Sequence, residues 1–346
     1  MSNYALLDCF VAYAPRNDGF AIGLVLRQRL FLQTLQVLLA QNLKAGRTCV
    51  AFALCNDGET TIMKNKLILA LLAAACAFLL AGCISISKNV VPFEAVEQKE
   101  RASNEVVAVQ ISDCHFSKEK PLFDALVEKI NDIRPDVIFM TGDQAVSVKS
   151  IEIMEHYLKK IDVPCPKFAI NGNWEYSPKT GVREHFDDYY AALEASDFKV
   201  LLNSGTSLNF DGKKLVIYGL DSLLGGKPSF ESFSPEKDAA NVVLGHCPVL
   251  FDMMPQTDLP LLMLSGHTHG GQVLLFGKAL YFPEGTGKYY SGIYRNGKNT
   301  LYVSTGVGNS SLEIRNLTPC LEVITFKFDG ENNFVDADFQ TIEVKP

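Results

Sequence analysis

The sequence predicts an α/β domain with some antiparallel strands, and three observations predict it. Apolar β-branched runs alternate with helix-spaced apolar residues from 106 to 196. Short strands dominate from 208 to 328. Strand after strand ends in Gly beside Asp, Asn or His. Val106–Ser112 is a buried strand. Leu122, Phe123, Leu126, Val127, Ile130 and Ile133 fall at helical spacing after Pro121, and Pro135 stops that helix. Asp136–Thr141 is the next strand, Ile151–Lys160 a helix, Lys167–Ile170 a strand and Glu184–Ser196 a third helix. Leu208–Phe210 and Lys214–Tyr218 flank Asp211-Gly212-Lys213 as a hairpin. Strands follow at Asn241–Leu244 and Leu261–Ser265, with a helix between Pro248 and Met254. Gln272–Leu275, Thr300–Ser304 and Cys320–Phe328 complete the strand-rich end.

The chain has 346 residues, a net charge of −7, 47% hydrophobic and 21% charged residues. That balance excludes a disordered chain, a collagen-like fibre and a polytopic membrane protein. Its acidity argues against nucleic acid as a partner. Nine cysteines are too few for a disulfide scaffold at this length.

Domain organisation follows from the sharpest composition shift, at 63–83. Met63 precedes Lys64, Lys66, the apolar run Leu67–Leu80 and Leu80-Ala81-Gly82-Cys83. This reads as a secretory signal whose last four residues resemble the lipobox of bacterial lipoproteins, with Cys83 as the lipidation site. The alternative is an uncleaved anchor, since Leu67–Ile86 just suffices to span a bilayer. Residues 1–62 carry no chemical motif. They read as an extension foreign to the mature protein, with synthesis starting at Met63; the rival is a small helical appendage. Residues 84–104 read as a polar tether and 105–346 as the functional domain. Residues 84–346 hold 25 Lys and Arg against 35 Asp and Glu.

Chemistry concentrates at the strand ends, where open α/β sheets gather reactive groups. They read Asp113-Cys114-His115, Gly142-Asp143-Gln144, Gly172-Asn173-Trp174-Glu175, Gly245-His246 and Gly266-His267-Thr268-His269. Four of the six histidines lie there. Carboxylate, imidazole and amide oxygen suit Mn, Fe, Zn or Mg rather than a thiolate-loving metal. Seven donors exceed what one tetrahedral ion uses and suffice for two if a carboxylate bridges, the arrangement that hydrolyses phosphate esters.

This ordered set resembles the calcineurin-like metallophosphoesterase superfamily, whose motifs run D-X-H, G-D-X, G-N-H-[ED], G-H and G-H-X-H. Ser265–Gln272 (SGHTHGGQ), the Tyr-rich stretch and Thr305–Gly308 (TGVG) look most like its exported or membrane-associated phosphodiesterase branch, which includes enzymes cleaving UDP-diacylglucosamine. The resemblance implies a four-layer sandwich: two mixed sheets face to face, flanked by helices. It implies that Asp113, His115 and His269 hold one divalent ion, that Asn173, His246 and His267 hold another, and that Asp143 bridges them. Mn²⁺ is favoured, with Zn²⁺, Fe or Mg²⁺ as alternatives. Asp143, Asn173 and His246 would serve catalysis, a hydroxide shared by the ions attacking phosphorus in a phosphodiester or pyrophosphate.

One position departs from the pattern. Trp174 stands where the family usually has His, and an indole cannot shuttle a proton near neutral pH. Either the leaving group needs little protonation, or another group supplies it, or Trp174 simply packs at the substrate mouth. Glu175 is read as a partner of a ligand imidazole or a surface carboxylate. Arg315 is read as a bidentate phosphate clamp or a surface residue. Cys114 and Cys247 approach the metal centre or are small buried thiols. Tyr281, Phe282, Tyr289, Tyr290 and Tyr294 face a membrane or lipid-bearing substrate, or are hairpin core. The expected function is a phosphoesterase. The alternative is a surface lipoprotein that binds metal and phosphate with little or no turnover. Lys64 and Lys66 favour an exported domain in the bacterial envelope acting on an envelope phosphodiester; the alternative keeps the domain inside, at the inner membrane.

Overall fold

The computed structural model describes residues 102–275, 278–310 and 314–346. The extension at 1–62, the signal or anchor at 63–83 with Cys83, and the tether up to residue 101 lie outside the described residues. Among the described residues, no helix is long and apolar enough to cross a membrane.

Two six-stranded sheets carry the domain. The first is built on β1 (Glu105–Ile111), β2 (Val137–Met140), β3 (Lys167–Ala169) and β4 (Phe198–Val200), all parallel. β13 (Cys320–Phe328) and β14 (Phe334–Glu343) add antiparallel strands beside β1. The second has parallel β6 (Lys213–Gly219), β7 (Ala240–Leu244), β8 (Leu261–Ser265) and β12 (Asn299–Val303). Its antiparallel edges are β5 (Ser204–Phe210) and β11 (Gly292–Asn296). A short hairpin pairs β9 (Leu274–Leu275) with β10 (Lys278–Ala279).

Alternation along the strands explains why the sheets stack. In β1, Val106 and Ala108 join a core with Ile217, Val242 and Leu264 of the other sheet, while Val109 and Ile111 point outward. That outer face is covered by α1 (Pro121–Ile133), α2 (Ser150–Leu158) and α3 (Phe186–Glu194). Pro121 opens α1, and Arg134 closes it in a left-handed turn before Pro135. The outer face of the second sheet is covered more thinly, by a 3-10 turn at Pro248–Met253 and by Leu223, Phe230 and Phe233. The expected helix at 248–254 is thus this 3-10 turn. The expected strand at 272–275 shortens to β9 because His269–Gly271 forms another 3-10 turn.

The space between the sheets turns polar toward the carboxyl ends of the strands. Gln110 donates to Thr141 Oγ1 and to the Ser265 carbonyl, both at 3.0 Å. Glu322 is fully buried there. It accepts from Tyr302 (2.6 Å), Thr341 (2.7 Å), Ser304 and Cys320 (3.3 Å each). Burial pushes its carboxyl from 4.5 up to about 7, although these four donors favour the charge. Between those values the folded protein holds a proton that the unfolded chain releases. The stability contribution is therefore full below about pH 4.5 and declines as pH rises through about 7. Glu322→Gln removes this slope. Thermal melts are expected to place it a few degrees above the parent near pH 8, about 1–3 kcal/mol, and level with it near pH 5.

Candidate metal centre

Each strand end expected to carry chemistry lies at one edge of the sandwich. The first sheet brings Asp113 and His115 from β1, Asp143 from β2 and Asn173 from β3; the second brings His246 from β7 and His267 and His269 from β8. The chain turns sharply to do so. Asp113, His115, Asp143, His267 and His269 all have left-handed backbones, with φ from 47° to 74°. Such residues are rare and costly, and they cluster where function over-determines the geometry. Gly142, at φ 99°, packs so close to His246 and Gly172 that any side chain would collide.

The side chains converge as two groups. Asp113, His115 and His269 form one; Asp143, His246 and His267 form the other, with ligand atoms within 4.8 Å of one another in each. In the first, His115 Nε2 lies 3.1 Å from His269 Nε2, which is 3.6 Å from Asp113 Oδ1. In the second, His246 Nε2 and His267 Nδ1 lie 3.2 Å apart, and Asn173 Oδ1 is 3.2 and 2.8 Å from them. Asp143 stands between the groups. Its Oδ2 is 3.3 Å from His246 Nε2 and 3.7 Å from His115 Nε2, while its Oδ1 accepts from the Trp174 N–H at 2.8 Å.

Hydrogen bookkeeping shows that this cage fits cations. The carbonyls of Thr141 and Glu284 can only accept. His246 therefore carries its hydrogen on Nδ1 (2.7 Å to Thr141 O) and His267 on Nε2 (2.6 Å to Glu284 O). When the rings are neutral, the opposite nitrogens, His246 Nε2 and His267 Nδ1, carry lone pairs beside Asn173 Oδ1 and the Asp143 carboxylate, the form in which they would hold an ion. Hard and borderline donors so arranged suit a divalent ion. In the ion-free chain the same field falls on His246. Burial opposes its charge, yet Asp143, Asp113 and the Thr141 carbonyl raise its pKa to about 10. Burial lowers His115 and His267 to about 4 and keeps His269 well below the usual imidazole range, so these three are neutral, as ligands must be.

Several supporting groups carry little sequence signal. Glu175 is fully buried and accepts from four backbone N–H groups: Gly172 (2.8 Å), Asp143 (3.1 Å), Gln144 (2.7 Å) and Ala145 (3.2 Å). It thus ties the loop after β2 to the loop after β3, rather than meeting an imidazole or solvent. Asp113 accepts from Ser112 Oγ (2.6 Å) and from the His267 N–H. The carbonyls of Thr141 and Glu284, which fix two imidazoles, could not be read from residue type. Cys114 and Cys247 are free, buried thiols, which burial holds well above the ordinary thiol range. Trp174 meets the His115 ring edge-on at 4.8 Å.

Arg315 does something other than the expected phosphate clamp. Its guanidinium donates to the carbonyls of Leu317 (2.8 Å), Thr305 (2.8 Å), Gly306 (2.9 Å) and Gly308 (2.5 Å), and Nη1 lies 3.5 Å from His269 Nδ1. Four of its five N–H groups are thereby taken by backbone carbonyls. The loop it braces donates to the Ser112 and Asp113 carbonyls from Val307 and Gly308. Arg315→Ala is therefore expected to weaken metal binding at the Asp113 group by about 10–100-fold, the usual effect of removing a ligand's support. Calorimetric titration with Mn²⁺ would show one of two sites weakened.

Comparison with known proteins agrees with the geometry. Residues 107–271 match the profile of the calcineurin-like phosphoesterases. The metallophosphoesterase YkuE of Bacillus subtilis is 34% identical over 235 residues, 63% of this chain and 78% of that protein. The chain belongs to the calcineurin-like phosphoesterase family. Phosphodiesterase YaeI of Escherichia coli, 29% identical, covers 58% of this chain and 74% of its own length. A solved 5'-nucleotidase precursor from Thermus thermophilus aligns with 69% of this chain and 54% of that one, at 13% identity and a TM-score of 0.45. As a member of the calcineurin-like phosphoesterases, the chain brings together two candidate ligand groups that suit divalent ions.

Proposed function

We propose that this calcineurin-like phosphoesterase hydrolyses a phosphodiester or pyrophosphate bond with two divalent ions, Mn²⁺ favoured. The observation that carries the reading is Asp143 Oδ2, placed within 3.3 Å of one imidazole of the second group and 3.7 Å of one in the first. When bound, the ions supply positive charge for the phosphoryl oxygens and an activated water. The chain's own residues do the rest. Asp143 joins the groups, Asn173 and His246 close the second, and Thr141 and Glu284 hold the rings in one tautomer. The decisive assay is hydrolysis of bis-p-nitrophenyl phosphate with added Mn²⁺. Turnover that vanishes in His267→Ala supports the reading, and a folded, metal-loaded parent without turnover overturns it.

Trp174 is the feature that favours a second reading, in which the protein binds metal and phosphate with little turnover. An indole against His115 offers no proton to a leaving group, and general acid help is typically worth about 10²–10⁴-fold. Aryl or nucleotide leaving groups therefore suit this site better than alkyl ones. Trp174→His is expected to speed alkyl diester hydrolysis at least about tenfold while leaving the aryl diester nearly unchanged. Equal alkyl rates would reject the acid deficit.

The proposed substrate is an envelope phosphodiester, lipid-linked or nucleotide-linked. The support is the lipobox-like ending at Cys83 with Lys64 and Lys66 before the apolar run, which would export the domain and leave it tethered to the membrane. Nucleic acid is not an expected partner of so acidic a chain.

A further inference from the structure

Along β1, Val106 and Ala108 enter the apolar core between the sheets, and Gln110 is the next residue on that face. It is fully buried. Both hydrogens of its amide are taken: Nε2 donates to Thr141 Oγ1 and to the Ser265 carbonyl, each at 3.0 Å. Those partners belong to different sheets, Thr141 just past β2 and Ser265 at the end of β8.

The orientation of this amide follows from chemistry. A carbonyl only accepts, so nitrogen must point at Ser265 O and oxygen away from it. Gln110 Oε1 is then buried with no donor among the described residues. An unmet acceptor in a core is costly, and Met would fill the same length without it. A side chain retained at that cost is retained for its two donors.

What the donors join decides their use. Gln110 lies three residues before Asp113, Thr141 two before Asp143 and Ser265 two before His267. One amide therefore pins together the strands that deliver Asp113 and His115, Asp143, and His267 and His269. Thr141 also receives the His246 ring on its carbonyl, at 2.7 Å. A second polar link across the seam, from Tyr302 to Glu322 at 2.6 Å, joins β12 to β13, and neither strand leads into a ligand. Each ligand group draws on both sheets, so the gap between the sheets at this edge sets the gap between donors. We propose that Gln110 is a positioning residue, whose amide fixes the separation of the two sheets at the ligand edge and so holds both groups closed around the shared Asp143 carboxylate. The proposal rests on the two-ion reading.

Gln110→Met in the full chain tests it, because it keeps the length of the side chain and loses both donors. The Ser265 carbonyl retains the Ser304 N–H at 2.9 Å, and the unmet oxygen is gone. Free of ions, the variant should melt within about 3 °C of the parent. Loaded with Mn²⁺, the parent should give the EPR signal of a spin-coupled pair, and the variant at the same free Mn²⁺ mostly that of isolated ions. Its Mn²⁺ affinity should be about 10–100-fold weaker, and kcat on bis-p-nitrophenyl phosphate lower by a similar factor at little-changed KM. Ile324→Val is the control for packing. Ile324 faces the same core opposite Ala108, and its loss of a methylene should lower the melting temperature by a few degrees while the coupled signal and kcat stay at the parent level. A Gln110→Met chain with parental coupling and affinity overturns the proposal. So does one that melts far below the parent or does not fold, since the amide would then serve the fold as a whole. Equal loss of coupling in Ile324→Val overturns it too, by making the effect one of packing. A folded parent that takes up no pair of ions would instead defeat the two-ion reading, and the proposal with it.

Discussion

Asp143→Ala is expected to lower kcat/KM on bis-p-nitrophenyl phosphate by roughly 10³-fold or more, about 4 kcal/mol of lost transition-state stabilisation. Its side chain faces both ligand groups, with Oδ2 within 3.7 Å of His115 and 3.3 Å of His246. The carboxylate is also buried. Burial alone would push its pKa up, but His246, His115 and His267 hold it below the ordinary range, so it stays charged. Removing it takes away the charge that two cations would share. Metal content after dialysis should therefore fall together with activity. Asp143→Asn separates charge from shape: it retains an acceptor for the Trp174 N–H but not the anion, and it should be nearly as inactive. A variant that kept two ions and normal turnover would refute the bridging role.

Glu175→Ala should be the most destabilising single change near the site. Its carboxylate is the partner of four buried N–H groups from two loops. An unmet buried donor costs about 1–3 kcal/mol, and because the loops relax together the losses do not simply add. A net cost of roughly 3–5 kcal/mol, or about 10 °C in melting temperature, is expected. Metal binding should fall with it, because Asp143 and Asn173 ride on the loops that Glu175 joins. Glu175→Gln, which keeps the shape and one carbonyl acceptor, should recover part of the loss. Thermal melts and metal titration of the two variants check both points.

Much of this was legible from residue order alone. The strands at 106–112, 136–141, 241–244 and 261–265 are continuous apolar runs because they are buried on both faces, and such runs announce themselves. The seven donors were legible because each sits just past such a run, beside Gly in most cases. What escaped has physical reasons. β14 is an edge strand in which Asp336, Asp338 and Gln340 alternate with apolar residues, so it lacks an apolar run. β4 and β11 are short or open to solvent. Arg315 suits a phosphate clamp or a surface position by residue type, which does not reveal that four backbone carbonyls take its donors. Backbone carbonyls such as Glu284 O have no letter in a sequence.

The two ligand groups share one further property. Each draws on both sheets: Asp113 and His115 from the first meet His269 from the second, and Asp143 and Asn173 meet His246 and His267. Every ion taken up would therefore be a rivet through the seam between two halves of the molecule. Ions that bind only the closed sandwich add their binding free energy to its stability, about 2.7 kcal/mol each at a hundredfold excess over Kd. Starving such a protein of metal would do more than silence it. It would loosen the seam, so that the supply of divalent ions in its surroundings would govern how long the molecule lasts.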